Sequence, residues 1–156
     1  MHLQVERVYG RMPETMNTHT ITIRVAHTDD VDSIAEIVCE LAEKFILSSS
    51  DKAVTKAFIE ANNAQKIRQN INNNYHYFVA VKAGKMVGLI GMKGYDHLYH
   101  LFVLERYQGL GLARQLWNKA RSYCLDNGNP GLFTVNASTN AIPVYEALGF
   151  KRTAPT

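Results

Sequence analysis

Leu101-Phe102-Val103-Leu104-Glu105-Arg106-Tyr107-Gln108-Gly109-Leu110-Gly111-Leu112-Ala113 is the stretch on which the reading of this chain turns. An apolar strand enters a turn with two glycines and leaves it as an amphipathic helix whose stripe is Ala113, Leu116, Trp117, Ala120 and Cys124. The first turn of a helix offers unpaired backbone N–H groups and the positive end of the helix dipole. Glycine lets an anion approach because no Cβ stands in the way. Together these features make a phosphate site. A tight strand-to-helix connection without a ligand has the same local signature, so the glycines alone leave both readings open.

Two nucleotide motifs fail here. A dinucleotide fingerprint needs a third glycine where this chain has Arg114, and a Walker loop needs Gly-Lys-Ser/Thr, which is absent. What fits is different. Gln108-Gly109-Leu110-Gly111-Leu112-Ala113 resembles the Gln/Arg-x-x-Gly-x-Gly/Ala acetyl-CoA signature of the GNAT N-acetyltransferases. Val135-Asn136-Ala137-Ser138-Thr139-Asn140-Ala141-Ile142-Pro143-Val144-Tyr145-Glu146-Ala147-Leu148-Gly149-Phe150 resembles a second element of that family. The two lie in the family's order and separation, and a looser similarity runs from about Ile21 to Phe150.

Outward from the glycine turn, the elements alternate. Ile21 to Val25 alternates as a strand; Thr28-Asp29-Asp30 reads as a cap and first-turn carboxylates for a helix with Val31, Ile34, Ala35, Val38, Leu41, Ala42 and Phe45 on one face. Ser48-Ser49-Ser50-Asp51 opens a second helix, whose continuation through Asn62-Asn63 to Ile71 is open because paired asparagines often interrupt helices. Tyr75 to Val81 and Met86 to Met92 read as a hairpin around Ala83-Gly84-Lys85, followed by a strand from Leu98 to Leu104. Leu132 to Val135 reads as a strand and Thr139 to Leu148 as a short helix. The order predicts one α/β domain, and the resemblance implies the GNAT (acyl-CoA N-acyltransferase) fold, a mixed central sheet flanked by helices.

The resemblance implies acetyl transfer from acetyl-CoA to a primary amine by direct attack in a ternary complex. Backbone groups of Leu101, Phe102 and Val103 would pair with the pantetheine arm as if it were an added strand, in a slot opened by parting from the next strand. Amides of Gln108, Gly109, Leu110, Gly111, Leu112 and Ala113 would hold the pyrophosphate. Tyr145 would hydrogen-bond or protonate the departing thiolate; a tyrosine packed on the core is the competing reading. The family's asparagine seven residues before that tyrosine is Ser138 here; Asn136 and the nearby Asn140 complete the expected coenzyme contacts.

An alkyl amine resembles Lys, with a pKa of roughly 10.4, so neutral amine at pH 7 costs about 4–5 kcal/mol and calls for a base. Regular alternation places Tyr95, His97, Tyr99, Leu101 and Val103 on one strand face and Asp96, Leu98, His100 and Phe102 on the other. His97 and His100 are the candidate bases, and His100 joins the first face only if a bulge shifts it. Spacing on a strand keeps the two histidines from sharing a metal, so no metal is expected. Tyr75, Tyr77, Tyr95 and Tyr99 suggest an aromatic-walled acceptor pocket, or ordinary strand packing.

The bulk numbers agree with a single globular domain. The chain has 156 residues, 46% apolar and 20% charged, with 17 Lys plus Arg against 14 Asp plus Glu. A formal charge of +3 without a basic block gives no reason to expect nucleic acid or membrane as a partner. Cys39 and Cys124 are far apart and read as reduced core thiols. No apolar run approaches the roughly 18 residues that span a bilayer, and no signal-peptide core is evident, so a cytoplasmic location is expected. The acceptor is expected to be a small-molecule amine or a peptide or protein amine. A catalytically silent acyl-CoA-binding sensor or scaffold is the alternative.

The ends differ from the family. Residues 1–20 read as an extension ahead of a domain at 21–156, and the chain stops at Thr156, where the family continues into a last strand. Leu3 to Tyr9 alternates enough to supply that strand to its own domain or to a second copy, giving a homodimer. A disordered extension ahead of a start at Met16 is the other reading.

Overall fold

The computed structural model describes residues 20–46, 52–137 and 141–152. The readings for Leu3 to Tyr9, Ser48 to Asp51, Ser138, Asn140 and the last four residues lie outside the described residues.

The described elements are β1 (Ile21–Val25), α1 (Val31–Ile46), α2 (Lys52–Ala61), α3 (Ala64–Asn72), β2 (Tyr75–Lys82), β3 (Lys85–Lys93), β4 (His97–Val103), α4 (Leu112–Asp126), β5 (Thr134–Val135) and α5 (Ile142–Ala147). The sheet has five strands in the order β1-β2-β3-β4-β5. All neighbours are antiparallel except β4 and β5, which are parallel. The expected mixed sheet flanked by helices is present.

Each face of the sheet takes its own helices. Val31, Ile34, Ala35, Val38 and Leu41 of α1, with Ile67 of α3, pack on Tyr77, Val79 and Leu89. Leu112, Leu116, Trp117, Ala120 and Cys124 of α4 pack on Phe78, Ala80, Val87, Ile90 and Met92 of the opposite face. The 3.6-residue stripe on each helix meets the two-residue alternation of the strands, as the sequence pattern requires.

Several boundaries move. Thr28–Asp30 forms a 3-10 turn rather than a helix cap; the Asp30 carboxylate accepts from the His27 N–H at 2.6 Å and from the Arg24 guanidinium at 2.7 Å. The second predicted helix divides at Asn62-Asn63, because the Asn63 side chain accepts from the Lys66 N–H at 2.9 Å and starts α3 afresh. β5 is only Thr134–Val135, and α5 only Ile142–Ala147, shorter than their sequence patterns. Cys124 is fully buried and Cys39 half-buried.

The alternation expected along β4 is broken. Gly91 pairs with His100 but Met92 pairs with Leu98, which leaves Tyr99 as an extra residue in a bulge. Leu98, Leu101 and Val103 therefore share the α4 face, while His100 and Phe102 turn toward the α1–α3 face. Tyr99 stays on the His100 side, with ring centroids 4.4 Å apart.

Candidate active site

Among the described residues, β4 and β5 pair only at His97–Leu98 with Thr134–Val135. Beyond Leu98 the two strands part, and β4 runs on with an open edge. Leu104 donates to the Val87 carbonyl at 2.9 Å on the β3 side. Antiparallel alternation then turns the backbone groups of Phe102 toward Leu89, and those of Leu101 and Val103 toward the open edge. The bulge sets this parity: without it Leu101 and Val103 would face β3. Of the three residues expected to pair with an extended ligand, Leu101 and Val103 face the slot and Phe102 does not.

The open edge leads directly into the glycine turn. Gly109 and Gly111 both have φ +80°, in the left-handed region that favours glycine, and a Cβ at either would meet nothing within 4 Å. Gly111 caps α4, whose first intrahelical bond runs from the Gln115 N–H to the Gly111 carbonyl at 3.1 Å. The N–H groups of Leu112, Ala113 and Arg114 thus lack helical partners and lie at the positive end of the dipole. Buried Leu112 anchors the turn to the core, while Gln108, Gly109 and Leu110 are exposed. The Gln108 side chain donates to the Val103 carbonyl at 2.9 Å and ties the turn back to the end of β4.

Tyr145 lies half-buried on α5, its ring edge-to-face with Phe150 at 6.0 Å, and Phe150 in turn packs on Trp117 of α4. Its hydroxyl makes no hydrogen bond to another described residue, and burial raises its pKa, which keeps the phenol protonated. Asn136 is exposed just past β5.

The two histidines differ. His97 is half-buried at the closed end of the slot, with Nδ1 2.8 Å from the Thr134 hydroxyl and no bond from Nε2 to a described residue. His100 is buried. Its Nε2 lies 2.9 Å from Asn62 Oδ1, and its Nδ1 lies 2.8 Å from the Tyr77 hydroxyl. Asn62 Nδ2 donates to the Phe58 carbonyl at 2.9 Å, so Oδ1 is the atom that faces the ring. Hence Nε2 carries the proton and Nδ1 accepts from Tyr77. No ring nitrogen of His100 is left free.

Burial pushes His100 down from 6.5 to about 4. Its folded pKa lies below its unfolded one, so its contribution is complete above the unfolded value and is lost as pH falls through the folded value. Acidification across that window should cost about 3 kcal/mol, because the unfolded chain takes a proton that the folded chain refuses. Urea unfolding of the parent and His100→Gln at stepped pH checks this. The variant's stability should fall less steeply in this window; parallel curves would remove His100 from the acid response.

Of the four tyrosines expected on strands, Tyr75, Tyr77 and Tyr99 gather on one face and Tyr95 lies in the turn between β3 and β4. Tyr75 meets Tyr99 edge-to-face at 5.1 Å, and Tyr77 and Tyr99 both contact His100. Tyr95 is elsewhere, stacked on His76 at 4.7 Å and close to Tyr123 of α4. Sequence reasoning missed the Tyr77–His100–Asn62 contacts. The Asn62-Asn63 pair was the visible signal, but it reads equally as a helix break.

Among the described residues no group of three or more His, Cys, Asp or Glu side chains is placed to hold a metal, and no helix is long and apolar enough to cross a membrane.

The family model described as "Acetyltransferase (GNAT) domain" matches residues 43–156. The chain belongs to the GNAT acetyltransferases. It is 26% identical over 135 residues to a thialysine N-epsilon-acetyltransferase of Caenorhabditis elegans, covering 78% of each chain. It is 28% identical over 106 residues to a probable N-acetyltransferase family 8 member 5 of Mus musculus, covering 61% of this chain and 47% of that one. In fold it matches a GCN5-related N-acetyltransferase from Ralstonia eutropha with TM-score 0.72 at 15% identity, over 88% of this chain and 96% of that one. It also matches the PaiA N-acetyltransferase of Thermoplasma acidophilum in complex with coenzyme A, with TM-score 0.69 at 18% identity, over 85% and 90% of the two chains.

Proposed function

We propose that this protein transfers the acetyl group of acetyl-CoA to a primary amine by direct attack within a ternary complex. The observation that carries the reading is the open β4 edge, which turns the backbone groups of Leu101 and Val103 away from β3 and runs straight into the glycine turn at the start of α4. An extended, amide-bearing arm completes such an edge as an added strand would. A pyrophosphate suits the helix start beyond it.

Within this reading the backbone from Gln108 to Ala113 binds the diphosphate, and Asn136 with Ser138 and Asn140 adds contacts to the arm. The amine nitrogen attacks the thioester carbonyl, its proton passes to a base, and the C–S bond breaks as Tyr145 gives a hydrogen bond or proton to the leaving sulfur. His97 is the better base of the two histidines because its Nε2 bonds to no described residue, whereas both nitrogens of His100 are engaged. The Tyr75–Tyr99 pair beside the bulge lines the acceptor side. The acceptor is a small-molecule amine or an amine of a peptide or protein, and the similarity to a thialysine N-epsilon-acetyltransferase makes a lysine-like amine the first to try.

The test is a panel of primary amines (thialysine, lysine, a polyamine and peptides with free amino groups) incubated with acetyl-CoA in a chelator. Thiol release is followed together with the mass of the amine. The expected result is amine-dependent release matched by an acetylated product. Release without such a product, or none with any amine while acetyl-CoA binds, would overturn the reading.

A further inference from the structure

The buried polar groups beneath the β4 bulge form a chain of one polarity. The Tyr77 hydroxyl donates to His100 Nδ1 at 2.8 Å; His100 Nε2–H donates to Asn62 Oδ1 at 2.9 Å; Asn62 Nδ2 donates to the Phe58 carbonyl at 2.9 Å. Tyr77, His100 and Asn62 are 3%, 6% and 5% exposed, so each bond is made away from water. Three structural units are joined: β2 through Tyr77, the bulge of β4 through His100, and the α2–α3 junction through Asn62. Asn70 of α3 is buried beside the Tyr77 hydroxyl, and its amide nitrogen makes no bond of good geometry.

The backbone makes room for this chain. Gly91, the residue paired with His100, lies under the Tyr77 ring, and a Cβ there would stand 2.4 Å from that ring. Such a contact has no room to relax while the hydroxyl keeps its bond to His100. Glycine at this point lets the Tyr77 ring cross β3 and reach the bulge.

Nothing in ordinary packing calls for a histidine at this place. Beside Tyr77, the buried side chains that β2 and β3 give to this face are Val79 and Leu89. A buried polar group left unpaired is costly, so the three side chains fix one another's rotamers, and a change in any one is felt by the next. The bulge they hold decides which β4 backbone groups face the slot.

We propose that Tyr77, His100 and Asn62 are positioning residues that hold the β4 bulge, and with it the slot-facing backbone of Leu101 and Val103, in register for acetyl transfer. They touch neither coenzyme nor amine; they act through the strand. The inference rests on the transferase reading above for its kinetic consequence, but the geometry it asserts can be measured without turnover.

The experiment uses Tyr77→Phe, which keeps the ring over Gly91 and removes only the hydroxyl. Asn62→Ala, which removes the acceptor of the His100 Nε2–H and leaves the residues of β4 unchanged, is the second variant. The turnover number should fall about tenfold or more, while the acetyl-CoA dissociation constant rises by a clearly smaller factor, since the slot edge loosens but the glycine turn is untouched. By residue-resolved hydrogen exchange, the His100 amide, paired to Gly91, should exchange faster, and the Phe102 amide, paired to Leu89, should not. Turnover within twofold of the parent in a folded variant would overturn the proposal. So would equal losses in turnover and coenzyme affinity, or both amides accelerating together, since those mark general loosening. If the parent acetylates no amine, the transferase reading fails and exchange alone decides: an unchanged His100 amide sinks the positioning role. Should Tyr77→Phe not fold, the same readings on Asn62→Ala stand in its place.

Discussion

Gly111→Asp is expected to weaken acetyl-CoA binding at least about a hundredfold, a loss of roughly 2.8 kcal/mol. Three effects act in one direction. The glycine has φ +80°, so any side chain there is strained. Its Cβ would project into open space, which is where an anion must approach the α4 amides. The new carboxylate also meets the diphosphate: two unit charges about 4 Å apart repel by about 4 kcal/mol at an effective dielectric near 20. Gly111→Ala shares the strain and bulk but not the charge, so its loss should be smaller. Calorimetric titration of both variants, after a cooperative melt confirms folding, gives the comparison. Equal dissociation constants for parent and Gly111→Asp would take this turn out of the coenzyme site.

Tyr145→Phe is expected to lower the turnover number about a hundredfold, the lower end of what a positioned acid contributes, with coenzyme affinity nearly unchanged. The ring keeps its edge-to-face contact with Phe150, and the hydroxyl bonds no described residue, so its loss strands no partner among the described residues. Stability should therefore change little. The effect should appear in the chemical step, because a hydrogen bond to the leaving sulfur strengthens only as negative charge develops there. Single-turnover kinetics at saturating acetyl-CoA separates that step from binding and release. A normal rate constant would leave Tyr145 as a residue that packs α5 on α4.

The parts of the fold that depend on local pattern were readable in advance. The α4 stripe and the β2–β3 hairpin around Ala83-Gly84 follow from periodicity and turn chemistry alone. The slot also follows from sequence, but only through the resemblance to GNAT proteins, because nothing local says that β5 leaves β4 after two residues. The bulge at Tyr99 was not readable. Its extra residue is fixed by pairing across to Gly91 and Met92 and by the buried bonds of His100, none of which has a trace in the neighbouring residues. That omission misassigned the faces of Leu98 and Tyr99. Asn62 and Asn63 show the same limit: one asparagine caps α3, the other reaches His100 across 38 residues, and their adjacency gave only a possible helix break.

If the coenzyme lies along the open edge of β4, residue-resolved amide exchange with and without acetyl-CoA registers it at two backbone groups. The Leu101 and Val103 amides, which face the slot, should exchange readily in the free protein and become protected on binding. The Phe102 amide, turned toward Leu89, should be protected in both states. Protection of Leu101 and Val103 that appears with acetyl-CoA is the predicted result. Binding that leaves both amides as exposed as before, with protection elsewhere, would place the coenzyme away from this edge.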